Sequence, residues 1–200
     1  MTYQAGRAWA LFSADLRHRL ALGRWFHDGP VVPEKLLAFI GLNPSTADGE
    51  SEDATTRRWR GFTLYLGFPG YVAVNAHTLR SPDPNSLLQA RYARTPTWTD
   101  EGRAEMLATL ATAATIICCW GATVEKVGHG MLNDPLVCDA LRQRAADIYC
   151  LGTPTKNGHP RHALYLPATA NLRPYSAAYL WDNRGPRPPA AAQTEGVKHG

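Results

Sequence analysis

Three polar clusters, each directly following an apolar run, hold the residue types that could do chemistry. The first is Gly41-Leu42-Asn43-Pro44-Ser45-Thr46-Ala47-Asp48. Its glycine permits close backbone approach, and its proline stiffens the turn that presents Asn43. An asparagine is no general base near neutral pH, but its amide can orient a water or bond a base edge. The same residues also fit a plain turn in which Asn43 satisfies its own backbone and Ser45 or Thr46 caps a helix. In the second cluster Asn75 interrupts the apolar run 71–77. A buried, unpaired amide costs about 1–3 kcal/mol, so Asn75 needs a partner, either a neighbouring loop or a ligand.

The third cluster runs Thr153-Pro154-Thr155-Lys156-Asn157-Gly158-His159-Pro160-Arg161-His162. Two histidines flank an arginine in a loop bounded by Gly and Pro. A histidine there can donate to a developing anion, and the arginine can clamp a phosphate. Two further groupings read both ways. Asp48, Glu50, Glu52 and Asp53 form an acidic cluster that fits Mg²⁺ or a solvated loop. Arg57-Arg58-Trp59-Arg60 mixes cations with an aromatic as nucleic-acid surfaces do, or puts Trp59 in a core with the arginines in water.

The elements that must position these residues alternate. Continuous apolar runs at 36–40, 71–77, 115–121 and 147–152 read as buried parallel strands, and helical patterns lie between them at 55–66, 100–114 and 135–144. Within 100–114, Met106, Leu107 and Leu110 recur at helical spacing behind the capping signal Thr99-Asp100-Glu101. Ahead of them, AWALF and RLALGRWF flank the turn-like SADLRH and predict a hairpin. Strands alternating with helices predict an α/β fold: three layers, α/β/α, around a central four-stranded parallel sheet, plus the N-terminal hairpin. Ligands of such sheets bind outside the carboxyl ends of the strands, where all three polar clusters fall. One domain over 1–182 accounts for the folding pattern. Residues 183–200, rich in Pro, Gly and Ala, predict a disordered tail.

Composition narrows the function classes. With 200 residues, 44% hydrophobic and 19% charged, the chain has ordinary globular composition. No apolar run nears the roughly 20 residues of a bilayer span, and MTYQAGRAWALF lacks a signal-peptide pattern, which predicts a cytoplasmic protein with no membrane partner. The 21 Lys and Arg, 17 of them Arg, against 17 Asp and Glu give +4, too little to assign a nucleic-acid partner on charge alone. Cys118, Cys119, Cys138 and Cys150 include no C-x-x-C pair and read as buried thiols, not as zinc or iron–sulfur ligands.

In order, GLNPS, VAVNA with a downstream Arg and Pro, IICCWGA and a His-Pro loop resemble the uracil-DNA glycosylase superfamily over residues 36–166. GLNPSTA, Asp53-Ala54-Thr55-Thr56-Arg57-Arg58 and GHPRHALYL resemble, more specifically, a domain-of-unknown-function family of bacteria and phages. The glycosylase resemblance implies that Asn43 takes the water-holding turn position, with Gly41, Pro44 and Ser45 shaping it. It also implies that Asn75 reads the extruded base, and that His159 or, in an alternative register, His162 stabilises the departing base. Arg57, Lys156 and Arg161 are then candidate phosphate contacts, DNA is the expected partner, a nucleobase or nucleotide the ligand, and neither metal nor cofactor is required.

The expected reaction is hydrolysis of the N-glycosidic bond of a modified or damaged pyrimidine in DNA. Two alternatives stay open: a transferase or hydrolase acting on a modified base or nucleotide, and a non-catalytic nucleic-acid or nucleotide sensor.

Overall fold

The computed structural model describes residues 8–83, 85–177 and 180, so the tail expected from residue 183 lies outside the described residues. The expected hairpin is present as β1 (Ala8–Phe12) and β2 (Arg19–Trp25), paired antiparallel. Four parallel strands follow: β3 (Leu37–Gly41), β4 (Gly70–Asn75), β5 (Thr115–Cys118) and β6 (Ile148–Leu151). A short β7 (Leu172–Pro174) pairs antiparallel with β6. Together they form one seven-stranded sheet in the order β1-β2-β4-β3-β5-β6-β7. The α/β architecture is therefore plain, and the sheet is wider than four strands. The hairpin does not stand apart, because β2 pairs with β4 and extends the sheet.

All five residues of β3 are buried, which is why its apolar run is continuous: both faces of the strand are covered. Alternate side chains feed two cores. Ala38, Ile40, Val72, Val74 and Ile116 pack with Met106 and Leu110 of α3 (Asp100–Thr112) and Val137 and Leu141 of α5 (Pro135–Gln143). Leu37, Phe39, Tyr71, Ala73 and Ile117 face Trp59 and Phe62 of α1 (Ala54–Tyr65). Trp59 stacks on Phe39 at a centroid distance of 5.4 Å, so it belongs to this core, as the bland reading of the Arg-rich stretch required.

Helix starts follow local chemistry. Asp53 accepts from Thr56 N (2.8 Å) to open α1, and Thr99 accepts from Gly102 N (3.1 Å) to open α3. Asp134 accepts from Leu136 N and Val137 N ahead of α5, with Pro135 in the first turn. Among the described residues, no helix is long and apolar enough to cross a membrane.

From β3 the chain steps to β4 on one side and then to β5 on the other. The loops after β3 and β5 therefore diverge at the carboxyl end of the sheet and leave a crevice between them.

Candidate functional site

That crevice is a cavity of about 620 Å³, within the size range of small-molecule sites. The loop after β3 supplies Leu42, Asn43 and Ser45, the loop after β5 supplies Trp120 to Thr123, and the loop after β6 supplies Thr155, Arg161 and His162. Below it lies a recess of about 20 Å³, room for one water-sized atom, lined by Arg19, Gly41, Asn43, Asp53, Asn75 and His162 among others.

Asn43 is oriented by its neighbours. Its Nδ2 donates to Pro44 O (3.1 Å) and to Ser81 O (3.0 Å). Both partners are carbonyl oxygens, so the NH₂ must face them, and Oδ1 is the atom left to serve the cavity as acceptor. Asp53 stands at the wall shared by cavity and recess. Its Oδ1 is engaged in capping α1, which fixes the carboxylate in place.

Asn75 ends β4 and is 1% exposed. Its Oδ1 accepts from Arg19 Nη2 (3.3 Å), while its Nδ2 has no hydrogen-bond partner. That nitrogen lies over Gly41, where a Cβ would come within 2.5 Å of it, so only glycine admits the amide here. Arg19 is 2% exposed, donates through Nη1 to Ala47 O (2.9 Å), and leaves Nε without a partner. Burial pushes its pKa down to about 10, partly countered by the Asp53 carboxylate, and it stays a cation at neutral pH. The recess thus presents a donor amide and a guanidinium, a combination that suits an electronegative atom.

Of the two histidines, His162 faces both cavity and recess. Its Nδ1 accepts from Leu164 N (3.3 Å), which puts the neutral ring's proton on Nε2. Burial lowers the pKa of this imidazole, opposed by Asp53. His159 is 1% exposed and turned elsewhere, with Nε2 2.7 Å from Glu125 Oε1. Asn157 Nδ2 donates to the same oxygen (2.8 Å), and Tyr175 Oη donates to Gly158 O (2.9 Å), so His159 belongs to the clamp that holds the loop.

The remaining expected residues divide. Gly41 and Asn75 line the recess, and Ser45 and Arg161 line the cavity, with Arg161 Nε donating to Thr153 O (2.9 Å). Pro44 accepts from Asn43 without forming the wall. Arg57 and Lys156 are exposed outside it, Arg57 donating to Glu52 O (3.0 Å). The acidic cluster is dispersed: Asp48 Oδ1 accepts from Glu50 N, Ser51 N and Ser51 Oγ, and Asp53 caps α1. No group of three or more His, Cys, Asp or Glu among the described residues is arranged to hold a metal ion.

Arg19, the site role of Asp53, and the rings Trp120 and Tyr165 escaped the sequence reading. Tyr165 lines the cavity while 83% exposed and packs on His162 at 5.7 Å, so the site does hold an accessible aromatic face. An Asp one residue before a helix, directly after a strand-end loop, was the available signal for Asp53.

Residues 19–164 match the family model described as a protein of unknown function (DUF1643). No curated protein and no solved structure matches the chain.

Proposed function

The chain belongs to the DUF1643 family, which carries no assigned activity, and from the site itself we propose that it is a nucleobase-directed enzyme acting on DNA. The reaction is hydrolysis of the N-glycosidic bond of a modified or damaged pyrimidine. The observation that carries this reading is the unpartnered Nδ2 of buried Asn75, beside the Arg19 cation in a recess that adjoins a cavity of base-holding size.

Bond cleavage develops positive charge on the sugar and negative charge on the base. A water held by Asn43 Oδ1 attacks C1′ as the C1′–N1 bond breaks, and the bonding pair leaves with the base. The Asp53 carboxylate faces the developing sugar cation and takes the water's proton. His162 Nε2–H and the Arg19–Asn75 pair stabilise the base oxygens that gain charge. Protonation of the base anion completes the exchange, leaving free base and an abasic site. Tyr165 offers a ring face to the base, and Arg161 a guanidinium to a phosphate.

Arg57 and Lys156 lie further out, as contacts for flanking phosphates, and the chemistry calls for no cofactor. A uracil-DNA glycosylase-like fold, with the strand order β4-β3-β5-β6 as its centre, is part of the same proposal, as is a cytoplasmic setting.

Purified protein incubated with single- and double-stranded oligonucleotides bearing uracil, 5-hydroxymethyluracil and other altered pyrimidines tests it by mass spectrometry. Free base and an abasic site are expected, abolished in Asn43→Ala and His162→Ala. Intact oligonucleotides throughout overturn it. The cavity is also large enough for a whole nucleotide, which favours, as second reading, a transferase or hydrolase acting on mononucleotides. Turnover of mononucleotides without turnover of oligonucleotides would establish that reading.

A further inference from the structure

A second cavity, of about 330 Å³, opens at the same end of the sheet and has no part in the chemistry above. Arg91, Arg94, Thr97, Trp98, His77 and Gly128 line it. His77 is spent on structure, its Nε2 on Gly128 O (2.8 Å) and its Nδ1 on Thr97 Oγ1 (2.8 Å). The charge of the cavity is therefore that of the two arginines. Arg91 Nη1 donates only to a backbone carbonyl, Lys126 O (3.2 Å), and neither arginine makes an ion pair among the described residues. No acidic residue lines the cavity, and Glu125, Asp100 and Asp134 are engaged elsewhere, the first by His159 and Asn157, the other two by Arg103.

Arg94 stands where a different residue would be easier. Helix α2 (Asn85–Tyr92) ends with Arg94 N donating to Arg91 O (3.1 Å) and Thr95 N donating to Ala90 O (2.8 Å). This is a Schellman closure, and Arg94 occupies its left-handed position at φ 56°, where glycine is the usual residue. A long cation held at that position points its use outward. Between the arginines in sequence, Tyr92 is 78% exposed, so cations and an aromatic face alternate beside the cavity.

Two chain segments run from one cavity to the other, although no residue lines both. His77 lies on one and Ser81 on the other, four residues along the same segment; Thr123 and Val127 divide α4 (Val124–Val127) and its approach the same way. Four residues span at most about 14 Å, within reach of the nucleotides next to one held in the main cavity.

We propose that the Arg91–Arg94 cavity is a phosphate subsite for single-stranded DNA, engaging the backbone beside the nucleotide in the main cavity, with Tyr92 stacking on a neighbouring base. The inference rests on the DNA reading above and adds where the strand runs.

Anisotropy of a labelled single-stranded oligonucleotide of ordinary bases, titrated across salt concentrations, tests it without turnover. In the double variant Arg91→Gln/Arg94→Asn, affinity near 0.1 M salt falls about tenfold or more, and the slope of log K against log salt shrinks by about 1.4, two phosphate contacts at about 0.7 each. Asparagine tolerates the left-handed backbone, so the fold is kept. Arg94→Gly weakens binding while its melting temperature holds or rises, which a purely structural arginine would not do.

An unchanged slope in the folded double variant, no binding of single strands by the wild type, or a loss confined to duplex DNA overturns the subsite. A reduced slope in the double variant with no base release anywhere keeps the subsite and discards the glycosylase reading.

Discussion

Arg19 Nη2 donates to Asn75 Oδ1 across 3.3 Å at the buried end of β4, and this bond decides what Asn75 can offer. With its carbonyl turned to the guanidinium, the amide directs its NH₂ over Gly41 into the recess. The partner it meets there must be an acceptor.

Gly41→Ala tests that geometry. The added Cβ meets Asn75 Nδ2 at 2.5 Å and the Trp59 ring at 3.3 Å, both deeply buried, so neither can swing clear. Overpacking of this kind costs about 1–3 kcal/mol, and thermal unfolding should show a fall in melting temperature of a few degrees. Base release should be lost as well, because the amide is displaced. A variant of full stability and full activity would show that the close approach is unimportant.

Asp53 can be separated from its capping duty. Asparagine caps helices about as well as aspartate, so Asp53→Asn should keep the bond to Thr56 N and leave the melting temperature nearly unchanged. It removes the charge that faces the cavity. A carboxylate acting on the sugar cation and the attacking water contributes about 10²–10⁴-fold, and single-turnover base release should fall by that order. Retention of the wild-type rate would limit Asp53 to the cap.

The order of the elements was legible because each signal was local. β3 reads as an unbroken apolar run since every residue of it is buried, and α3 shows its core face through Met106 and Leu110. Helix α2 gave no such signal: Leu87 is its only buried residue, so it lacks an apolar stripe to recognise. β7 is three residues long and ends in proline, as an edge strand can.

Within the site, Asn43 and Asn75 were legible as polar interruptions at strand ends. Arg19 was not, because its partners Ala47 and Asn75 are 28 and 56 residues away and nothing near it in sequence marks it as buried. Which of His159 and His162 lines the cavity was not legible either: Glu125, 34 residues before His159, holds that ring, while His162 lies on the cavity wall.

Buried histidines make the fold sensitive to mild acid. Burial holds His77 and His162 below the usual imidazole value, and His18 and His129 as well. In the unfolded chain these rings take up protons near pH 6.5, while in the fold they remain neutral to lower pH. The unfolded state then binds more protons in that window, so stability is full above about pH 6.5 and declines as pH falls below it. Urea unfolding at pH 7.5, 6.0 and 5.0 should show the decline. His77→Gln, which keeps polar atoms near Gly128 O and Thr97 Oγ1, should flatten it. An equal slope in both proteins would remove His77 from the account.

The four thiols report on the same core. Cys118, Cys119, Cys138 and Cys150 are free and buried, and burial pushes Cys119 up to about 12 and Cys150 up to about 11. The thiolate is the reactive form, so thiols held protonated and out of solvent should be inert at neutral pH. A thiol-specific reagent should label the native protein only as fast as it opens, and all four sites should react at once in denaturant. With labelling slower than reclosing, the rate follows the population of the open form, so it should rise in Gly41→Ala exponentially with the stability lost, about tenfold for each 1.4 kcal/mol. Fast labelling of one thiol in the stable wild-type protein would reveal a local opening at that strand or helix, and mass spectrometry of the labelled peptide would identify which.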